Sequence, residues 1–223
     1  MTAPTPVELV LANTTVQSAA LVPEIRLHLA SELLPLWRAT ETDLADLGLP
    51  PPYWAFVWPG GQALARYILD HPALVQGKRV LDFGACAGIG AIAAARAGAG
   101  AVVAAEIDPF AAAAIELNAA LNGASVGIAQ HDVLAVRPDA DVILIGDMCY
   151  ERPLAERLTA WMFARAAEGR LVLLADPGRA YVPQGGLIEL ARHIVPTTLE
   201  LESRTERETV VYRVCPEPVA AAD

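Results

Sequence analysis

Three cysteines, Cys86, Cys149 and Cys215, are all that the 223 residues contain, and no two of them stand at C-x-x-C spacing. An odd, scattered set weighs against a disulfide framework and against a cysteine-held zinc site. Basic residues are scarce as well: 16 Lys and Arg face 26 Asp and Glu, a formal net charge of −10. Nucleic-acid binding draws most of its affinity from neutralised phosphates, so this balance argues against a DNA or RNA partner and suits a cationic or lysine-bearing one. The opening MTAPTPVELV has no basic segment leading into an apolar core, so no secretory signal is expected. Charges and glycines break the alanine-rich stretches well short of the ~20 apolar residues of a membrane span. Internal repeats, low-complexity linkers and a G-x-x-x-x-G-K-[ST] phosphate loop are absent too. The expectation is a cytoplasmic protein in a reducing compartment, with no metal and no membrane partner.

What is present is apolar: 54% of residues are hydrophobic and only 19% charged. That suits one α/β domain whose sheet is covered on both faces. From residue 78 the chain alternates. Strands are expected at 78–83, 101–107, 125–130, 141–147 and 169–176, and helices at 88–98, 109–121, 151–167 and 184–193. The tail, TTLELES (197–203) and ETVVYRV (208–214), reads as a β-hairpin. Ahead of this core lie an extension with a half-buried strand EIRLHLA (24–30), SELLPLWRAT with a helix-breaking Pro35, and a Pro/Gly/aromatic loop, LGLPPPYWAFVWPGG (47–61). A helix, GQALARYILDHP (61–72), joins loop and core. The fold class is thus a doubly wound, mostly parallel seven-stranded sheet with a C-terminal hairpin. A single domain spans 1–223: extension 1–50, core 51–215 and tail 216–223.

The first βα turn is Asp82-Phe-Gly84-Ala-Cys86-Ala-Gly88-Ile-Gly90. Ligands of open α/β sheets bind beyond the carboxyl ends of the strands, and Gly84 and Gly88 permit a tight turn, backbone approach to a ligand and close helix packing. Plain strand-to-helix packing is the alternative. The middle glycine of a dinucleotide G-x-G-x-x-G is missing, because Cys86 stands there. Asp82 lies just inside the strand end and Glu106 ends the second strand. An acidic residue beside the loop repels a pyrophosphate and favours a ligand carrying an ammonium and a sulfonium.

D-x-G-x-C-x-G, E-I-D-P (106–109) and Asn118 together resemble the class I S-adenosylmethionine (SAM)-dependent methyltransferases, over roughly residues 53–214. Within that class, PPYWAFVWPGGQ (51–62), GDMCY (146–150) and ADPGR (175–179) resemble the lysine methyltransferases of the electron transfer flavoprotein β-subunit and their bacterial homologues, a group often labelled nicotinamide N-methyltransferase-like. Asp147-Met-Cys-Tyr150 matches the D-x-x-Y motif of the wider protein-lysine methyltransferases. Two positions depart from the pattern: Cys86 replaces the usual middle glycine, and Cys149 stands where an aromatic is common.

The resemblance implies SAM as cofactor and a lysine-bearing protein as substrate, with the flavoprotein β-subunit the first candidate. A small-molecule or a ribosomal-protein methyltransferase are the alternatives. It places Gly84, Ala85 and Gly88 at the SAM backbone, Asp82 near its amino group, Glu106 on the ribose hydroxyls and Ile107 against the adenine. Asp132 either accepts from the adenine amino group or caps the next turn. Asp147, also placed at the cofactor's methyl end, orients the target amine, N-caps the helix at 151–167, or does both; Tyr150 shapes an apolar slot. Trp58 is a pocket wall or ordinary core. Tyr53 and Trp54 rank below it. Asp176 and Arg179 hold a substrate loop or form a turn. His28, His71, His131 and His193 show no ligand spacing and read as structural or surface residues.

Overall fold

Runs that are apolar at every position, instead of at alternate ones, form the middle of the sheet. Val142, Ile143, Leu144 and Ile145 in one such strand are wholly buried, as are Val172, Leu173 and Leu174 in the next. Only a sheet covered on both faces hides them all. The computed structural model describes residues 4–30 and 51–216, apart from the Glu200 side chain. SELLPLWRAT, residues 47–50 and the tail beyond 216 lie outside the described residues.

The described chain opens with α1 (Pro6–Ala12), β1 (Thr15–Ser18) and β2 (Arg26–Leu29), the last two pairing antiparallel. Then follow α2 (Pro59–Asp70), β3 (Arg79–Phe83), α3 (Ile89–Arg96), β4 (Ala101–Ala105), α4 (Pro109–Leu121) and β5 (Gly127–Ala129). The second half holds β6 (Val142–Gly146), α5 (Arg152–Ala167), β7 (Leu171–Asp176), β8 (Leu187–Pro196), α6 (Leu199–Glu202) and β9 (Glu206–Val214). The seven-stranded sheet runs β5-β4-β3-β6-β7-β9-β8, parallel from β5 to β7, with β9 antiparallel to both β7 and β8. The strand order reverses between β3 and β6, which leaves a crevice at their carboxyl ends.

α2 and α3 cover one face through Leu64, Ile68 and Ile92; α5 covers the other through Leu158, Trp161 and Met162. The extension is not set apart from this core. Val22, Ile25 and Leu27 are wholly buried in the same cluster as α2 and α3. Asn118 of α4, itself fully buried, ties three elements together: its Oδ1 accepts from His28 N at 2.7 Å and its Nδ2 donates to the Ala87 carbonyl at 2.9 Å. Among the described residues no helix is long and apolar enough to cross a membrane.

Two expectations fail at the C-terminal end. Residues 184–193 were expected as a helix, but 187–196 are strand β8; 197–203 were expected as a strand, but carry the one-turn α6. Leu187, Leu190, Ala191 and Ile194 fall at helical spacing, yet this segment finds its backbone partners on β9 from Leu187↔Val214 to Pro196↔Glu206. A bulge between Glu189 and Ala191 breaks the two-residue alternation, and long-range pairing overrides the local pattern. The first core helix begins at Pro59, earlier than the expected 61, because proline at the first helical position needs no hydrogen-bond partner for its nitrogen.

Candidate functional site

At the switch point the crevice opens into a cavity of about 520 Å³, walled by the carboxyl ends of β3, β4 and β6 and the loops after them. That volume lies in the range of sites that enclose a ligand of nucleoside size. A side pocket of about 30 Å³ shares Trp58, Gly84 and Cys86 with it and reaches Asp82 and Ala85.

Glu106 follows the end of β4 and folds back across the glycine loop. Its carboxylate accepts from Cys86 N at 3.1 Å, Ile107 N at 2.8 Å and Asp108 N at 3.3 Å. Burial raises this carboxyl, and the three N–H donors pull it back. A carboxylate has about four lone-pair positions, so capacity remains for a ligand hydroxyl. Ile107, 70% exposed, offers an apolar plate on the cavity wall. Asp132 also lines the cavity, and it caps the turn after it: Oδ1 accepts from Leu134 N at 2.9 Å while Oδ2 pairs with Arg157 at 2.6 Å. The hydrogen bond from Arg157 holds it below the usual carboxylate range.

Gly84 lines the cavity but Gly88 does not. Gly88 stands at φ 81°, starts α3, and lets the backbone close on α4, where an added Cβ would lie 3.2 Å from Ile115. Helix packing, one of the two expected uses of that glycine, is in place. Cys86 keeps the middle loop position at φ 49°, and burial pushes its thiol up, away from thiolate chemistry. Cys149 packs in the core on the α5 face, its thiol pushed up to about 12 by burial.

Asp82 is 5% exposed, accepts from Ala91 N at 2.7 Å and has no cation beside it among the described residues; burial pushes it up from 3.8 to about 7. Between about pH 4 and 7 the folded protein therefore keeps a proton that the unfolded chain has released, and stability falls as pH rises. Asp147 and Asp176, raised by burial to about 7 and about 6, act in the same direction; His28 and His193, lowered by burial, oppose it below about pH 6.5. The melting temperature is expected to drop by about 4 °C or more from pH 5 to pH 8, and Asp82→Asn to flatten much of that slope. An unchanged slope in the variant, read by scanning calorimetry, would refute the assignment to Asp82.

The other end of the cavity is aromatic. Tyr150, 43% exposed, meets Tyr53 edge-on at 6.0 Å, and Tyr53 meets Trp58 edge-on at 5.9 Å. Trp58 is fixed by its indole N–H, which donates to the Tyr53 carbonyl at 3.0 Å. Tyr53, ranked low from the sequence, thus stands with Trp58 and Tyr150; Trp54 also touches the cavity wall but is 2% exposed and packs chiefly with α1 and α4. Burial pushes the Tyr150 phenol up to about 12, so it stays neutral and can both donate and accept. His131 is exposed, as expected for a surface residue, and stands on the cavity wall.

Asp147 sits where these parts meet, 6% exposed and at a left-handed φ of 54°. It caps a helix, but not the one that follows it. Oδ2 accepts from Gly60 N and Gly61 N at the start of α2; Oδ1 accepts from Arg179 Nε at 3.2 Å and Nη2 at 2.8 Å. All four acceptor positions are filled. α5 instead has Glu151 at its N-cap with no side-chain bond. Asp176 forms the expected turn, accepting from Gly178 N at 2.8 Å and Arg179 N at 2.6 Å, and so aims Arg179 at Asp147. Among the described residues no group of three or more His, Cys, Asp or Glu could hold a metal ion.

Comparison with known proteins bears on this geometry. The electron transfer flavoprotein beta subunit lysine methyltransferase of Rattus norvegicus is 39% identical over 209 residues, 90% of this chain and 80% of that protein. The protein of that name from Xenopus laevis is 40% identical over 194 residues, 86% and 76% of the two chains. This chain belongs to the electron transfer flavoprotein beta subunit lysine methyltransferases. It is a methyltransferase by that membership. A family model described as ribosomal protein L11 methyltransferase matches residues 63–146, the stretch from α2 to β6. Among solved structures, Trm5b of Pyrococcus abyssi has a TM-score of 0.54 at 17% identity, covering 91% of this chain and 56% of its own. The ribosomal protein L11 methylase of Lactobacillus delbrueckii has 0.50 at 20%, covering 72% and 81%. Those two likenesses show the fold. Arg157 and the pairing of Arg179 with Asp147 are the features of this methyltransferase site that sequence reasoning missed, and neither carried a local signal; Tyr53 was named but ranked too low, although its place in a rigid aromatic loop beside Trp58 pointed to it.

Proposed function

We propose that this chain transfers a methyl group from SAM to a lysine of the electron transfer flavoprotein β-subunit, in a reducing, cytoplasmic compartment. The observation that carries it is the slot of Tyr53, Trp58 and Tyr150 at one end of a cavity whose other end presents Glu106 and Ile107. The cavity's residues fit SAM: a carboxylate with spare acceptor capacity for ribose hydroxyls, an apolar plate for a base, and the buried Asp82 carboxyl at a side pocket for an amino group. Bound there, SAM supplies an electrophilic methyl group on a sulfonium.

The chain's own residues then have three tasks. Aromatic faces attract the arriving ammonium. The same apolar walls disfavour its charge, so a lysine with an ordinary pKa of about 10.4 gives its proton to water before attack. The neutral Tyr150 hydroxyl accepts a hydrogen bond from the amine and holds its lone pair in line, and alignment is the main catalytic contribution in such a displacement. Asp147, with its acceptor positions filled, acts by fixing the α2 end and Arg179 around the slot. The net charge of −10 supports a lysine-rich protein surface over a nucleic acid as partner.

The test uses methyl-labelled SAM with the purified flavoprotein β-subunit and, separately, with an extract of cells lacking the enzyme. Label on that one protein, located on lysine by mass spectrometry, is expected. Label confined to small molecules, or to a ribosomal protein, would overturn the assignment. In parallel, Glu106→Ala should weaken SAM binding by about 10- to 100-fold in calorimetry, the worth of hydrogen bonds to a charged group; unchanged affinity would remove Glu106 from the cofactor site.

A further inference from the structure

We infer that Glu202 and Arg179 are a positioning pair that sets the methyl-accepting end of the site from the tip of the C-terminal hairpin. The inference rests on the proposed lysine methylation.

Glu202 belongs to α6, the turn between β8 and β9, and its side chain is only 2% exposed. A carboxylate buried that deeply requires cations, and it has two. Arg179 donates Nη1 at 3.0 Å and also Nη2, and Arg207 donates Nε at 2.9 Å. The Arg179 guanidinium is shared: one edge faces Glu202, the other faces Asp147 Oδ1, and its central carbon lies 5.7 Å from the Trp58 ring centre. Asp147 in turn grips the first amides of α2, directly after Trp58. One guanidinium thus fixes a carboxylate and an indole that both line the cavity, and Glu202 fixes the guanidinium. Arg suits this use because its planar fork serves two carboxylates at set angles, which a lysine ammonium does not.

The placement is more than internal stapling. Trp58 also lines a second groove of about 530 Å³, whose walls include Glu202, Leu201, Thr198 and Pro196 of the hairpin tip and Gln17 of β1. Trp58, Arg179 and Glu202 therefore stand at the partition between the cofactor cavity and that groove. The Gly84–Glu106 end of the cavity has no hydrogen bond to the pair among the described residues. Disturbing the pair should misplace the acceptor end and leave the donor end intact.

The test measures Glu202→Gln and Arg179→Lys, alone and combined, on the purified flavoprotein β-subunit. Wild-type methylation of that protein is the control for the underlying function; if it fails, lysine methylation itself is wrong. Given that control, each single variant should lower kcat about 10-fold or more while SAM affinity by calorimetry stays within about 3-fold, because alignment is lost and the donor site is not. The double variant should lose little more than the worse single one, since both act through one guanidinium. Glu202→Gln keeps the shape; should it not fold, Arg179→Lys, which keeps the positive charge, is judged by the same split. Near wild-type kcat in the folded variants, a loss confined to SAM binding, or losses that multiply would overturn the inference.

Discussion

Gly60→Ala is expected to cost about 3 kcal/mol or more and to empty the soluble fraction of folded protein. A Cβ at this position would lie 2.4 Å from the Ala175 carbonyl oxygen, 2.4 Å from Asp147 Oδ2 and 2.8 Å from Asp147 N. None of these atoms is free to yield. The Ala175 carbonyl accepts from Asp147 N at 3.0 Å, and the Asp147 carboxylate is pinned by Arg179. Alanine gains about 1 kcal/mol over glycine in helix propensity, but overpacking against rigid backbone costs about 1–3 kcal/mol and more where nothing relaxes. The steric cost therefore outweighs the propensity gain, and relief requires α2 to lift from the strand ends. Gly61→Ala is the control, since its Cβ would meet only a side-chain carbon of Ile89 at 3.2 Å. Urea denaturation should show Gly61→Ala within about 1 kcal/mol of wild type and Gly60→Ala far below it. Equal midpoints for the two would show that α2 is not seated on the strand ends as described.

Why the sequence showed the donor end as a unit, and the acceptor end only as the separate residues Asp147, Tyr150 and Trp58, follows from distance along the chain. Gly84, Glu106 and Ile107 lie within one βαβ unit, where a strand end, a glycine turn and an acidic residue some 20 positions on are local signals. The parallel strands were legible for a similar reason, as each is an apolar run bounded by turns. The acceptor end is assembled from afar. Asp147 reaches Gly60 across 87 positions, and Arg179 reaches Asp147 across 32. No pattern within a window of residues records such a closure. Asp147 looked like a cap for α5 because an aspartate before a helix usually is one. Its left-handed φ of 54° turns the side chain to α2 instead. Glu202 gave no signal at all, for it lay in a stretch, 197–203, expected as one strand of the C-terminal hairpin. β8 misled in the opposite sense, its helical spacing being real but outweighed by the pairing to β9.

Asp147→Asn is expected to lower kcat/KM by about 100-fold or more. Asparagine keeps the shape and tolerates the left-handed backbone, so neither bulk nor strain enters. The loss is electrostatic. Four donors converge on the two carboxylate oxygens: Gly60 N, Gly61 N, and Nε and Nη2 of Arg179. An amide offers one acceptor atom, so its NH₂ must face either two backbone N–H groups or a guanidinium, donor against donor. With the carboxylate goes the one group that joins the α2 amides to the Arg179 guanidinium. Arg179 keeps Glu202, so the guanidinium stays held on that side alone. Burial pushes the Asp147 carboxyl up to about 7, against the downward pull of Arg179 and Gly60, so the comparison belongs at pH 8, where the carboxylate form prevails. There the wild type should be active and Asp147→Asn nearly silent, with SAM binding reduced less than turnover because Glu106 and the glycine loop are untouched. At pH 6, where the wild-type group is itself largely protonated, the gap between the two proteins should narrow. Steady-state kinetics at both values, with urea midpoints beside them, decide the matter. A variant that turns over at the wild-type rate at pH 8 would mean that the charge on Asp147 holds nothing in place.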